Sequence, residues 1–249
     1  MTKRIDINCD VGEGGAYDVE LMAYISSANI SCGKHAGDES TMQSAIEAAL
    51  KRGVSIGAHP GYPDRENFGR TSKNLSEQEV YSLVLDQVKD FCAFAEKLGA
   101  RVNHVKPHGA LYNQAAKDRH LARAISQAVY DCNPKLILFG LAGSDAALEA
   151  QSKGLVYLHE MFADRSYESD GTLTPRTLPN AVLDDPDLAA KQVLSCILNS
   201  EITTRDGKVI ALKADTICVH GDNPHGLHIA QHLHRVLTQV QIDIIAFRT

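Results

Sequence analysis

Ile5-Asp6-Ile7-Asn8-Cys9-Asp10-Val11-Gly12-Glu13-Gly14 is an apolar run that ends in a glycine-rich turn carrying two carboxylates. The same change recurs along the chain. Ala28-Asn29-Ile30-Ser31-Cys32 leads into Gly33-Lys34-His35-Ala36-Gly37-Asp38, and Val54-Ser55-Ile56-Gly57-Ala58 into His59-Pro60-Gly61. Val102-Asn103-His104-Val105 leads into Lys106-Pro107-His108-Gly109. Leu155-Val156-Tyr157-Leu158 leads into His159-Glu160, and Thr216-Ile217-Cys218-Val219 into His220-Gly221-Asp222. In parallel β/α architectures the functional residues gather at the carboxyl ends of the strands. Six strand ends bearing Asp, Glu, His and Lys therefore predict one shared site, and an enzyme.

Outward from these runs, the chain alternates strand and helix. Short runs rich in Val and Ile predict strands near 4–9, 27–32, 54–58, 102–106, 135–139, 155–160 and 215–219, with an edge strand near 242–247. Amphipathic spacing predicts helices at Glu39–Arg52, Ser76–Leu98, Lys117–Asp131, Ser144–Lys153, Pro186–Ser200 and Pro224–Gln239. Ser76 with Glu79 reads as a capping box, Pro186 suits a first helical turn, and Gly53, Gly99 and Gly154 read as helix ends. Seven such units fit an incomplete barrel or an open doubly wound sheet, and spacing alone does not choose. Two long stretches, Pro60–Lys73 and Phe162–Asp185, break the rhythm and read as active-site loops or lids. No repeat or linker divides the 249 residues, so one domain over 1–249 is expected.

Composition narrows the function. A net charge of −6 without a basic block argues against nucleic-acid binding. No apolar run is long enough to cross a bilayer, and Met1–Asp6 carries no secretory apolar stretch. A cytoplasmic protein away from membranes is expected. The six cysteines form no CxxC pair and read as small buried hydrophobes, with Cys32 the exception to watch.

The candidate residues leave several chemistries open. Asp10 and Glu13 suit acid–base work, a metal, or simple helix capping. His35, His59 and His108 suit proton transfer or metal ligation. Asp10 with His35 and His59 is a possible divalent-metal set, though HExxH spacing is absent. Lys106 fits an oxyanion partner or an outward-snorkelling lysine. Arg65, Arg70, Arg165 and Arg176 suit a substrate carboxylate, or ion pairs with Asp64, Glu66, Asp164 or Asp170. His225, His228, His232 and His234 read as surface residues of the last helix. No GxxxxGK[ST], GxGxxG or GxSxG motif occurs, so no standard nucleotide module is expected.

These blocks, with Asn67-Phe68-Gly69-Arg70, Val105-Lys106-Pro107-His108-Gly109-Ala110-Leu111-Tyr112-Asn113 and Phe162-Ala163-Asp164-Arg165, resemble the LamB/YcsF family over nearly the whole chain. The resemblance implies a seven-stranded β/α barrel related to polysaccharide deacetylases. It also implies ATP-dependent ring opening of 5-oxo-L-proline to L-glutamate, performed with two further subunits, B and C, and with ATP as co-substrate of the complex. Catalytic roles then fall to Asp10, His35, Lys106 and His108: Asp10 or His35 activates water, while Lys106 and His108 stabilise developing charge. Substrate contacts fall to Glu13, Asn29, His59, Arg70, Tyr112, Glu160, Arg165 and His220, with Arg70 or Arg165 on the carboxylate. Two other readings stay open: a stand-alone metal-dependent deacetylase or amidohydrolase, and a non-catalytic lactam-binding regulatory protein. Lys34 departs from the apolar residue usual in the family, and a cation there would oppose protonation of His35.

Overall fold

A computed structural model describes residues 3–221 and 224–248. Asp222, the end of the last strand-end motif, lies outside them. Strand β1 (Arg4–Val11) pairs in parallel with β2 (Ser27–Ser31), and the series continues through β3 (Ser55–His59), β4 (Val102–Val105), β5 (Ile137–Leu141) and β6 (Tyr157–Phe162). A separate antiparallel hairpin, β7 (Glu201–Thr203) and β8 (Val209–Ala211), precedes β9 (Thr216–His220). Strand β9 pairs with both β6 and β1, which closes a seven-stranded parallel barrel and excludes the open sheet. A two-residue β10 (Asp243–Ile244) pairs with the start of β1.

Helices α1 (Asp18–Leu21), α2 (Glu39–Arg52), α3 (Glu77–Lys97), α4 (Gly109–Ala115), α5 (Arg119–Cys132), α6 (Ala146–Ser152), α7 (Pro186–Asn199) and α8 (Pro224–Gln239) complete the fold. The expected capping box is present: Glu79 N donates to Ser76 Oγ at 3.3 Å, and Ser76 N donates to Glu79 Oε2 at 2.7 Å. The helix expected over Lys117–Asp131 forms as α5, and an additional helix, α4, precedes it. Helix α4 starts directly behind His108, and Asp118 then caps α5 by accepting from His120 N at 2.8 Å. None of the described helices is long and apolar enough to cross a membrane.

Strand period decides what fills the barrel. Ile5, Ile7, Cys9 and Val11 of β1 join the apolar core, while Asp6, Asn8 and Asp10 make cross-barrel polar contacts. Barrel interiors are usually packed with branched apolar side chains. This one instead holds a column of hydrogen-bonded polar groups. Thr216 bridges Asp6 and Asn8, Asn8 reaches Glu160 and Asn29, and Asn29 reaches His104.

Candidate active site

The column ends at the carboxyl ends of the strands, on a buried ion pair. Strand register sets Asp10 opposite Asn29 on one side and His220 on the other. Asp10 Oδ1 accepts from Asn29 Nδ2 and from Lys106 Nζ, each at 2.8 Å. Lys106 Nζ also lies 3.1 Å from Glu160 Oε1, donates to Asn8 Oδ1 at 3.3 Å and meets Cys218 Sγ at 2.9 Å. Burial alone would neutralise both partners. Burial pushes Asp10 up, but His59 and Lys106 outweigh it and hold the carboxyl well below its usual range. Burial likewise pushes Lys106 down, yet Asp10 and Glu160 hold it well above its usual range. The floor of the site is thus a carboxylate facing an ammonium. Burial keeps the Cys218 thiol protonated.

Beside this pair stands a cluster of imidazoles. His35 and His108 stack face to face, with ring centroids 3.8 Å apart and planes 5° from parallel. His59 meets both edge-on. Glu13 Oε1 sits among them, 2.9 Å from His35 Nε2 and 3.4 Å from His108 Nδ1. Burial first, then the charge of His59, pushes His35 down to about 3. The same two causes, in the same order, push His108 well below its usual range. Lys34 is exposed, and the cations that add to the shift are Arg65 and Arg70. The loops after β1 and β2 approach closely because Gly37, at φ 68°, has no Cβ to collide with the Gly12 carbonyl.

Above the floor a cavity of about 530 Å³ opens, lined by Asp10, Glu13, His59, Lys106, His108, Tyr112 and His220. Arg70, Lys117, Arg165 and Arg176 line its outer part. His220 Nδ1 lies 2.9 Å from both oxygens of Asp164, which leaves Nε2 for other partners. Arg165 donates from Nε to Ala181 O at 3.1 Å and from Nη2 to Thr174 O at 2.6 Å, and so ties the 162–185 loop together. That loop leans on the hairpin through an Arg205 Nε–Glu168 Oε1 contact of 2.8 Å.

Most of the expected residues converge, and the placement of a few differs from the expectation. Asn29 and Glu160 do not line the cavity: both are fully buried beneath its floor, holding Asp10 and Lys106 in place. His35 is likewise absent from the lining, buried against the face of His108, so Asp10 is the better placed of the two candidate bases. In the possible metal set of Asp10, His35 and His59, Asp10 Oδ2 lies 3.3 Å from His59 Nε2. The ligand-type atoms that gather belong to Glu13, His35, His59 and His108, while Asp10 is engaged by Lys106 and Asn29. Burial pushes the Cys32 thiol up to about 12, which disfavours the thiolate. His225 and His228 are exposed, as expected of the last helix, and His232 and His234 are half-buried.

Sequence reasoning misses His104, Asp164 and Lys117. His104 and Lys106 follow the period-two spacing that also links Asp6, Asn8 and Asp10, so alternation is the available signal. Asp164 reads in the sequence only as an arginine partner, and it holds His220 instead.

The closed seven-stranded parallel barrel has the fold of polysaccharide deacetylases. The catalytic domain of a peptidoglycan N-acetylglucosamine deacetylase from Eubacterium rectale shares that fold, with a TM-score of 0.56 at 12% identity, over 100% of this chain and 90% of that one. The chain belongs to the LamB/YcsF family, whose model matches residues 5–249. It is 46% identical to the A subunit of 5-oxoprolinase from Brevibacillus brevis, over 98% of each chain. It is 47% identical to the A subunit of 5-oxoprolinase from Geobacillus thermodenitrificans, over 99% of this chain and 98% of that one. The crystal structure of a lactam utilization protein from Thermus thermophilus superposes with a TM-score of 0.90 at 38% identity, over 98% of this chain and 100% of that one.

Proposed function

We propose that this chain is the ring-opening component of an ATP-dependent 5-oxoprolinase, which converts 5-oxo-L-proline to L-glutamate. The observation that carries the reading is the ionised Asp10–Lys106 pair that lines the cavity, in a chain alike end to end to proteins named as the A subunit of 5-oxoprolinase. A five-membered lactam is a resonance-stabilised amide with a poor leaving group. Partner subunits, B and C, transfer a phosphoryl group from ATP to the amide oxygen, a division of labour supported by the lack of a GxxxxGK[ST] motif in this sequence. Water then adds to the activated carbon, and Asp10 Oδ2 takes its proton. Lys106 stabilises negative charge as the C–N bond breaks, and His220, braced by Asp164, returns a proton to the departing nitrogen. The acyl phosphate so formed is hydrolysed by a second water to glutamate and phosphate. Arg70, on the cavity wall, faces the substrate carboxylate. A cytoplasmic location suits this use of ATP.

Reconstitution tests the division of labour. With 5-oxoproline, ATP and magnesium, the isolated chain is expected to release negligible glutamate, and adding subunits B and C should start release. Robust ATP-dependent release by the isolated chain contradicts it.

A further inference from the structure

Arg165 is a buried cation whose hydrogen bonds run to uncharged groups. It is 5% exposed, and its guanidinium donates to the carbonyls of Ala181 and Thr174. The adjacent acid, Asp164, is engaged through both oxygens by His220. A buried charge is costly unless an opposite charge meets it. Here other cations add to the cost. Burial first, then Arg176, pushes Arg165 down to about 10, and Arg70 acts in the same direction. Asp164 opposes the shift without cancelling it. Arg165 and Arg176 line the cavity, and so does Lys117, which follows α4 and acts on Asp170 of the 162–185 loop. Among the described lining residues the carboxylates are Asp10 and Glu13, which lie at the floor against Lys106 and His35. The outer wall is thus cationic in a chain of net charge −6, which draws anions to it.

We propose that Arg165, Arg176 and Lys117 form a phosphoryl-binding site on the outer wall of the cavity, which holds the phosphoryl group of an activated lactam while the ring opens at the floor. The identity of the ligand rests on the ring-opening reading above; the anion site itself does not. A phosphoryl group brings about −1.5 to −2 of charge and three acceptor oxygens, which suits a group of cations better than a lone carboxylate does. Arginine presents a planar fork to phosphate, and the two carbonyl contacts fix the Arg165 fork before any ligand arrives. Lys117, exposed and on a flexible stem, supplies a point charge that can follow the ligand. The cavity, at about 530 Å³, has room for more than a five-membered ring. No bond forms or breaks at the wall. The phosphoryl group enters on the amide oxygen and stays there through ring opening. Held outside, it turns the activated carbon inwards, towards Asp10 and Lys106. The unphosphorylated lactam lacks that anchor and is held more weakly, so attack by water waits for activation.

The test is a calorimetric titration of the isolated chain with inorganic phosphate, with sodium acetate as the carboxylate control. The expected result is one phosphate per chain, bound more weakly as salt is added and not displaced by equal acetate. Arg176 and Lys117 are exposed, so their variants keep the loop tie made by Arg165. The Arg176→Gln/Lys117→Gln double variant should weaken phosphate binding by roughly tenfold or more. Lys51→Gln, on the surface of α2, should leave it unchanged. No binding by the unaltered chain at millimolar phosphate overturns the site, and so does undiminished binding by the double variant. In the reconstituted complex, the double variant should go on consuming ATP while releasing less glutamate, so that ADP formed per glutamate rises. A normal ratio overturns the role of the wall even if phosphate binds. An unaltered complex that hydrolyses ATP without opening the ring overturns the function proposed above, and the phosphate titration then decides the site alone.

Discussion

Lys106 is 2% exposed and lies between two carboxylates, Asp10 and Glu160, so its charge bears on the fold and, in the proposed reaction, on the chemistry as well. Removing one partner of a buried ion pair typically costs about 3–5 kcal/mol, because the remaining charge is stranded. Lys106→Met should therefore lower unfolding free energy by about that much, and turnover by about 10²–10³-fold. Adding Glu160→Gln removes one of the two stranded charges, the fully buried one. The double variant should regain much of the stability in urea unfolding and none of the turnover in the glutamate-release assay. Recovery of both would reduce Lys106 to a structural ion. Histidine burial gives a second expectation. Burial first, then Lys106, pushes His104 down to about 3, and His35 lies at about 3 as well. Unfolded histidine titrates near about 6.5, so below that pH the unfolded chain takes up protons that the folded chain refuses. The stability from these groups is complete above about pH 6.5 and falls as pH drops towards 3, by roughly 1.4 kcal/mol per pH unit for each histidine. Urea unfolding of the metal-free chain at pH 7.5 and 5.0 measures this, and equal stabilities would contradict it.

Elements are legible in the sequence where local signals act alone. Helices α2 and α8 begin and end where spacing, caps and glycine place them. Strands β5 and β6 start two residues later than expected, because a continuous apolar run does not mark where pairing begins. The hairpin of β7 and β8 is not among the expected elements, although Asp206-Gly207 between Ile202-Thr203 and Val209-Ile210 is a recognisable turn signal. Helix α4 is hidden because its first residues belong to the Lys106–Asn113 motif, whose polar residues read as part of a site. Convergence of the strand ends is readable, but partnership is not. Asn8 meets Thr216 from 208 positions away, and no local pattern encodes such a pair. The β3–β4 pairing carries a sharper expectation. The register shifts between Ile56 and Gly57, and His104 packs its ring where a Cβ on Gly57 would stand. Gly57→Ala should therefore destabilise the chain by at least the 1–3 kcal/mol typical of overpacking, roughly, as read by melting temperature and urea midpoint. An unchanged midpoint would show that His104 has room to move.

At the scale of the molecule, barrel closure makes the site. Strand β1 gains β9 as its second neighbour, and that pairing sets His220 beside Asp10 and Thr216 beside Asp6. An open sheet with the same elements would leave Asp10 without the His220 side of its surroundings, and the polar column without a wall. The floor is rigid by construction, since Asn8, Asn29 and Glu160 fix the two charges from below. The 162–185 loop above is tied by Arg165 to its own backbone and by Glu168 to the hairpin. In the proposed reaction the chemistry belongs to the floor. Asp10→Asn is the most direct probe of that assignment, because it keeps the shape of the floor and removes the base. In the reconstituted complex with ATP, the account predicts that glutamate release by the Asp10→Asn chain falls about 10²–10⁴-fold in kcat, with 5-oxoproline KM little changed and the fold intact by circular dichroism. Near-normal kcat in that variant would contradict the account and move the ring-opening step away from this site.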